Sequence, residues 1–154
     1  IVREGRFQVI WQTGKYYERE MDEFMRGRDA RGIWRGAFIE RMDLAYAAAD
    51  IVVARSGAGT VSELCLVGKA VVFVPSPNVA EDHQTKNAMA LADRGAALVV
   101  PDREAVARVF SEAGRLLADD AMRSEMEKNI RALAVADSAD RVADEILKVV
   151  KRSE

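Results

Sequence analysis

The sequence has few of the residues on which several common kinds of site depend. Its 154 residues include one cysteine, Cys65, and one histidine, His83. A lone cysteine cannot form an internal disulfide, which fits a reducing compartment, and its apolar neighbours favour a core position over a nucleophile. A single histidine excludes a multi-histidine metal site, and no Asp-x-Asp motif is present. We therefore expect neither a metal nor a cofactor.

Long apolar runs and an excess of one charge are also missing. No stretch approaches the length of a membrane-spanning helix, and no signal peptide is visible. The 23 basic residues nearly balance the 25 acidic ones, so the sequence lacks the excess of positive charge that nucleic-acid binding favours. With 49% hydrophobic residues, the chain predicts one soluble domain over residues 1–154 with a sizeable core and no nucleic-acid partner.

Strand-like and helical patterns alternate along the chain. Apolar runs predict strands at residues 7–11, 33–38, 51–54, 70–74 and 96–100. Helical spacing lies between them, at residues 16–25, 42–49 and 81–93, and Gly68 is a candidate helix C-cap. This alternation predicts an α/β fold, a Rossmann-like parallel sheet with helices on both faces.

The helices after residue 104 are predicted to bury one apolar face each. These faces comprise Val106, Val109, Phe110, Ala113 and Leu117, then Met122, Met126, Ile130 and Leu133, then Val142, Ile146 and Val149. Ligands bind such sheets at the carboxyl ends of the strands. We therefore expect one crevice lined by the loops at residues 12–15, 38–41, 55–60 and 75–84.

The stretch from Ile51 to Glu63 predicts a buried strand, a tight loop of small residues (Ser56–Gly59, called the glycine loop below) and a helix that opens at Thr60. Glycines let a backbone approach a ligand closely, and a helix start suits a phosphate. Glu63, one turn into that helix, is placed to accept hydrogen bonds from a ribose diol. Phosphate beside ribose indicates a nucleotide, although the loop lacks the third glycine of a dinucleotide fingerprint and the lysine of a P-loop.

Another interpretation of the same residues needs no ligand. Thr60 and Glu63 have the T-x-x-E spacing of a capping box, in which the two side chains satisfy backbone N–H groups at the helix start. A second polar cluster has the same ambiguity. His83 and Gln84 follow a strand and can bind sugar hydroxyls, or they can be surface and capping residues near a helix start.

Three motifs together resemble the carboxy-terminal half of the MurG family. They are residues 49–63, then Val74-Pro75, then His83-Gln84-Thr85-Lys86-Asn87-Ala88. Weaker similarity lies in Gln12-Thr13-Gly14-Lys15, in Phe38-Ile39 with Met42, and in residues 140–143, so the likeness covers nearly the whole chain. Members of that family transfer N-acetylglucosamine from UDP-N-acetylglucosamine to lipid I, which makes lipid II for peptidoglycan, and so serve cell-wall synthesis, cell shape and division.

The resemblance implies one truncated half of a GT-B glycosyltransferase, the half that binds the donor. It implies that the backbone at Ile39 contacts the uracil and that Glu63 binds the ribose. It places Ser56, Ala58, Gly59 and Thr60 along the phosphates and sugar, and His83 and Gln84 at the N-acetylglucosamine hydroxyls. Other members often carry a larger apolar residue in place of Gly59, so the contact expected there is through the backbone.

The resemblance also implies what lies outside this chain. The acceptor domain, with its proposed catalytic base and membrane-binding patch, has no counterpart here, so no catalytic residue is expected in this fragment and the fragment alone should be inactive. Residues 1–5 have the pattern of the end of a helix, so we expect the first strand and loop of the domain to be missing. In the full-length enzyme the transfer is expected to be inverting and metal-independent, on the cytoplasmic face of the inner membrane.

Two alternatives remain open from the sequence. One is another GT-B enzyme that uses UDP-sugars, such as an epimerase or a lipid glycosyltransferase. The other is a non-catalytic α/β interaction module in which Thr60 and Glu63 only cap a helix.

Overall fold

The computed structural model describes residues 7–77 and 82–151, which divide into two compact units between Ala49 and Asp50. The predictions for residues 1–5 and for a helix start at Glu81 lie outside the described residues. Strands and helices alternate as the sequence indicates, and every strand pairing is parallel. The predicted α/β class is confirmed. The strands pair in two separate sheets, one in each unit.

The first unit contains a two-stranded sheet. Strand β1 (Val9–Gln12) pairs with β2 (Ile33–Gly36) in the register Val9 to Ile33. Between them, a 3-10 turn (Lys15–Tyr17) leads into α1 (Glu18–Met25), and α2 (Met42–Ala48) follows β2. The loops after the two strands are joined by backbone hydrogen bonds from Thr13 N to Gly36 O and from Gly14 N to Ala37 O, both 3.0 Å.

The second unit is built on a three-stranded sheet with β4 in its centre. Strand β3 (Ile51–Ala54) and β5 (Leu98–Val99) flank β4 (Ala70–Phe73), whose residues are all buried. Such a continuous apolar run is typical of a strand that is covered on both faces. Successive side chains point to opposite faces, so Ala70 and Val72 lie on one face while Val71 and Phe73 lie on the other.

Four helices pack around this sheet: α3 (Ala58–Val67), α4 (His83–Ala92), α5 (Ala105–Ala118) and α6 (Asp120–Arg131). A 3-10 turn (Asp102–Glu104) leads from β5 into α5. One buried cluster combines Ala70 and Val72 of the central strand with Leu116 of α5 and Met126 of α6. Cys65 is buried in α3, as the composition predicts, and burial raises the pKa of its thiol.

Gly68 ends helix α3 in the left-handed conformation, with φ of 69°, and its N–H donates to Leu64 O. The predicted C-cap is confirmed. A β-carbon at this position would also lie 2.4 Å from Nε of Arg131, whose guanidinium donates to Val67 O from helix α6. Glycine is therefore required by the backbone angle, and a β-carbon would in addition displace the flexible guanidinium of Arg131.

The predicted burial of the apolar helix faces is confirmed for α6 but only in part for α5. Met126 and Ile130 of α6 are buried and Met122 packs against the core, so that face is confirmed. In α5 the buried residues are Ala113 and Leu116, whereas Val106 and Phe110 are exposed, and their predicted burial is wrong.

The last helix, α7 (Ser138–Lys151), overturns the largest part of the burial prediction. Val142, Ile146 and Val149 share the predicted face, yet each is more than half exposed, at 61%, 59% and 65%. Helical spacing identifies the apolar face of a helix but does not identify what covers it. The described residues leave this face open.

Candidate functional site

The helix after the glycine loop begins earlier than the sequence predicts. Helix α3 starts at Ala58, with Gly57 as an N-cap in extended conformation and without a side-chain capping bond. Its first intrahelical bond runs from Val61 N to Gly57 O, at 3.0 Å. The amides of Ala58, Gly59 and Thr60 therefore precede the hydrogen-bond ladder at the positive end of the helix dipole. The predicted start at Thr60 is wrong because Gly57 already provides the N-cap conformation.

The earlier start also removes the capping-box alternative. With Gly57 as the N-cap, Thr60 is the third helical residue and Glu63 the sixth, so they do not occupy the positions that a capping box requires. Glu63 is exposed. Residues three or four apart share a helix face, so Glu63 lies on the same face as Gly59 and Thr60, one turn farther from the helix start.

Gly59 offers a direct check on the helix start. A β-carbon at Gly59 would have nothing within 4 Å, and its φ is not in the left-handed region. We expect Gly59→Ala to raise the free energy of unfolding by about 0.5–1 kcal/mol, because alanine loses less backbone entropy in a helix. Urea denaturation measures this change. A lower midpoint would contradict the helical assignment of this residue.

Ser56, the first residue of the loop, is fully buried. Its hydroxyl donates to the carbonyl of Gln84 at 2.8 Å, and its own carbonyl accepts from Nδ2 of Asn87 at 3.1 Å. Both partners belong to helix α4. The structure therefore brings the glycine loop and the start of α4 together, as predicted for segments that follow neighbouring parallel strands.

The predicted sugar-binding pair lies at the start of that helix. His83 is the first residue of α4 and is exposed, while Gln84 is half-buried. Oε1 of Gln84 accepts from the backbone N–H of Ser76 at 2.9 Å. Because a backbone N–H can bond only to the oxygen of the amide, this contact orients the side chain, with Nε2 on its other side as a donor.

Arg55 was not singled out by the sequence, yet it connects the ends of all three strands of this sheet. Its guanidinium donates from the end of β3 to Val74 O at 3.1 Å and to Pro75 O at 3.3 Å, both just after β4. It also forms an ion pair with Asp102, which follows β5. The signal was present in the sequence, since Arg55 and Asp102 each stand just beyond a strand, but only the sheet order makes them neighbours.

The remaining predicted residue, Ile39, belongs to the first unit. Its N–H donates to Oε1 of Gln12 at 2.9 Å, which links the loops after β1 and β2. These two loops meet as predicted.

Within residues 7–77 and 82–151, no group of three or more histidine, cysteine, aspartate or glutamate side chains is arranged to hold a metal ion. Over the same residues, no helix combines the length and apolar character needed to span a bilayer.

The second unit thus has the organisation of an α/β ligand-binding domain, with a glycine loop and a helix start beyond the carboxyl end of a parallel strand. The chain belongs to the glycosyltransferase family 28 C-terminal domain family, whose model matches residues 2–142.

Curated relatives carry the name UDP-N-acetylglucosamine–N-acetylmuramyl-(pentapeptide) pyrophosphoryl-undecaprenol N-acetylglucosamine transferase. The one from Parabacteroides distasonis is 48% identical over 145 residues, which cover 94% of this chain and 39% of the relative. The one from Bacteroides thetaiotaomicron is 49% identical over 98% of this chain and 41% of the relative. The chain thus spans about two fifths of the length of these relatives.

A solved structure shows the same fold. The crystal structure of Acinetobacter baumannii MurG matches with a TM-score of 0.78 and 33% identity, over 92% of this chain and 41% of that chain. This likeness agrees with the resemblance found in the motifs.

Proposed function

We propose that this chain is the donor-binding part of an N-acetylglucosaminyltransferase that converts lipid I to lipid II in peptidoglycan synthesis. The donor is UDP-N-acetylglucosamine, and the acceptor is bound by the part of the enzyme outside this chain. The names of the relatives, at 46–49% identity for several of them, support the substrate pair. The single observation that carries the proposal is the start of helix α3, which has no side-chain cap and lies just beyond the carboxyl end of strand β3.

In the proposed site the pyrophosphate of the donor lies at the amides of Ala58, Gly59 and Thr60. These amides precede the first intrahelical bond, and the helix dipole favours negative charge there. Charge develops on UDP when the sugar is transferred, and amides that already point toward it need no reorganisation. The C4 hydroxyl of the acceptor sugar attacks the anomeric carbon from the face opposite UDP and gives its proton to a base outside this chain. The bond from the anomeric carbon to the phosphate oxygen breaks, UDP leaves and the carbon is inverted, with no metal ion and no cofactor taking part.

Other residues give the site its selectivity. Glu63 lies on the face of α3 that carries Gly59 and Thr60, where its carboxylate accepts from the ribose hydroxyls. His83 and the oriented Gln84 amide contact the N-acetylglucosamine hydroxyls from the start of α4. For the uracil, the resemblance to the family implies the backbone of Ile39, whose N–H donates to Gln12 and whose carbonyl is left to accept from the uracil N3–H.

The full-length enzyme is proposed to work in the cytoplasm as a peripheral protein on the inner membrane, because its acceptor is a membrane lipid. This chain supplies the donor side alone, and we expect it to bind UDP without catalysing transfer.

A titration tests donor binding. We expect UDP to shift the amide NMR signals of Ala58–Glu63, with a dissociation constant on the order of 1 mM because most of the enzyme is absent. UDP-N-acetylglucosamine should add shifts at His83 and Gln84. The matched nucleotide is CDP, which carries the same ribose and pyrophosphate and should bind more weakly because its base lacks the N3–H. A chain that gives no response to millimolar UDP would favour the interaction module.

A further inference from the structure

The glycine loop is attached to helix α4 through both polar groups of one buried residue. The Ser56 hydroxyl donates a hydrogen bond to Gln84 O at 2.8 Å. The Ser56 carbonyl accepts one from Nδ2 of Asn87 at 3.1 Å. Its exposed fraction is 0%. A side chain with no exposed surface cannot touch a ligand in this structure. Any contribution of Ser56 to donor binding is therefore indirect.

The same helix turn is attached to the segment after strand β4. Oε1 of Gln84 accepts from Ser76 N at 2.9 Å. Three pieces of chain meet at these bonds: the loop after β3, the segment after β4 and the first turn of α4. Two of them carry the proposed phosphate and sugar subsites, namely the start of α3 and the start of α4.

We propose that Ser56 is a positioning residue which, held by Asn87, sets the spacing between these two subsites, an inference that rests on the proposed donor site. UDP-N-acetylglucosamine is one molecule that must reach both subsites, whereas UDP reaches the first alone. A preorganised spacing lowers the cost of binding only for the ligand that uses both. The Ser56–Asn87 contact thus contributes to the preference for the nucleotide sugar over the free nucleotide.

The test compares two ligands in each of three proteins. The ratio of the dissociation constants for UDP and UDP-N-acetylglucosamine is measured by NMR titration in the wild-type chain, in Ser56→Ala and in Asn87→Ala. We expect each substitution to lower this ratio by up to about tenfold, the scale of one lost hydrogen bond, while UDP binding itself changes much less. Ser56→Ala is decisive because its side chain has no surface with which to contact the sugar. Ser56→Cys, whose thiol is a weaker donor at the same buried position, serves if the alanine variant does not fold. Asn87 is half-buried and keeps some exposed surface, so Asn87→Ala supports the result but does not decide it.

A matched control is available in the same unit. Nδ2 of Asn129 donates to Gly95 O at 3.3 Å, a bond of the same chemistry located before strand β5, at the opposite edge of the sheet from the candidate site. Asn129→Ala should leave the ratio unchanged. A general loss of stability would weaken binding of both ligands in all three variants. A positioning role instead changes the ratio of the two dissociation constants in Ser56→Ala and Asn87→Ala but leaves it unchanged in Asn129→Ala.

Hydrogen exchange without ligand separates this inference from the proposed function. We expect the amide of Val61, which donates to Gly57 O in this loop, to exchange about tenfold faster in Asn87→Ala than in the wild type, because the loop has lost a tether. Unchanged exchange, or an unchanged ligand ratio in variants that bind UDP, overturns the positioning role and leaves donor binding intact. A wild-type chain that binds neither ligand overturns both proposals, even if the tether itself is confirmed by exchange.

Discussion

Replacing Glu63 with glutamine should weaken UDP binding by about tenfold, the lower end of the range for a lost hydrogen bond to a charged group. The glutamine keeps the size of the side chain and one acceptor oxygen but removes the negative charge. Because α3 begins at Ala58, Glu63 is not part of a capping box, so the variant removes no helix cap. NMR titration measures the affinity, and urea denaturation verifies that the fold is retained.

The ribose contact can be isolated with a second ligand. 2′-Deoxy-UDP lacks one of the two hydroxyls assigned to Glu63, so the wild type should bind it more weakly than UDP. In Glu63→Gln most of that difference should disappear, because the two changes remove the same interaction. Glu125→Gln is the matched control, since Glu125 is an exposed glutamate on helix α6. Equal losses for both ligands in Glu63→Gln would mean that the carboxylate does not contact the ribose 2′-hydroxyl.

The features that the sequence predicts correctly depend on nearest neighbours along the chain. Strand β3 matches its prediction at both ends, because a short β-branched run is bounded by polar residues. Gly68 is a C-cap because glycine adopts a positive φ without steric cost. The burial of Cys65 likewise follows from its apolar neighbours in an internal helix.

The contacts that organise the candidate site join residues far apart in the sequence, so patterns of neighbouring residues do not reveal them. Ser56 and Asn87 are 31 positions apart, and Arg55 and Asp102 are 47 apart. Each pair meets because parallel strands place their carboxyl ends at one edge of the sheet. The sequence predicts that these loops converge, but it does not show that Ser56 turns inward while Glu63 stays exposed. That distinction separates a residue that positions the site from one that can contact a ligand.

The start of α3 shows a different kind of error. The sequence predicts a helix start at Thr60, whose hydroxyl is a common capping group, whereas the backbone places the N-cap at Gly57. A glycine N-cap supports the proposed function. A helix whose N-cap has no side-chain acceptor retains its first amides for another acceptor, and α6, by contrast, uses the Asp119 carboxylate to accept from Met122 N at 2.9 Å.

The second large effect concerns the strand that holds these loops in place. Phe73→Ala should lower the free energy of unfolding by about 3–5 kcal/mol, because it removes a large side chain from a packed core and leaves a cavity. Phe73 is fully buried in the central strand, paired with Ala54 of β3 on one side and Val99 of β5 on the other. A loss of this size is a large fraction of the stability of a typical domain.

Phe110 provides the matched control, since it is the same residue type at 65% exposure on helix α5. Phe110→Ala removes little buried surface and should cost less than about 1 kcal/mol. Cys65, as the single cysteine, reports unfolding directly: its buried thiol should react slowly with a thiol reagent in the wild type and in Phe110→Ala, but much faster in Phe73→Ala. Similar rates in the two variants would mean that β4 is not the strand on which the stability of this unit depends, and the candidate site would then need another support.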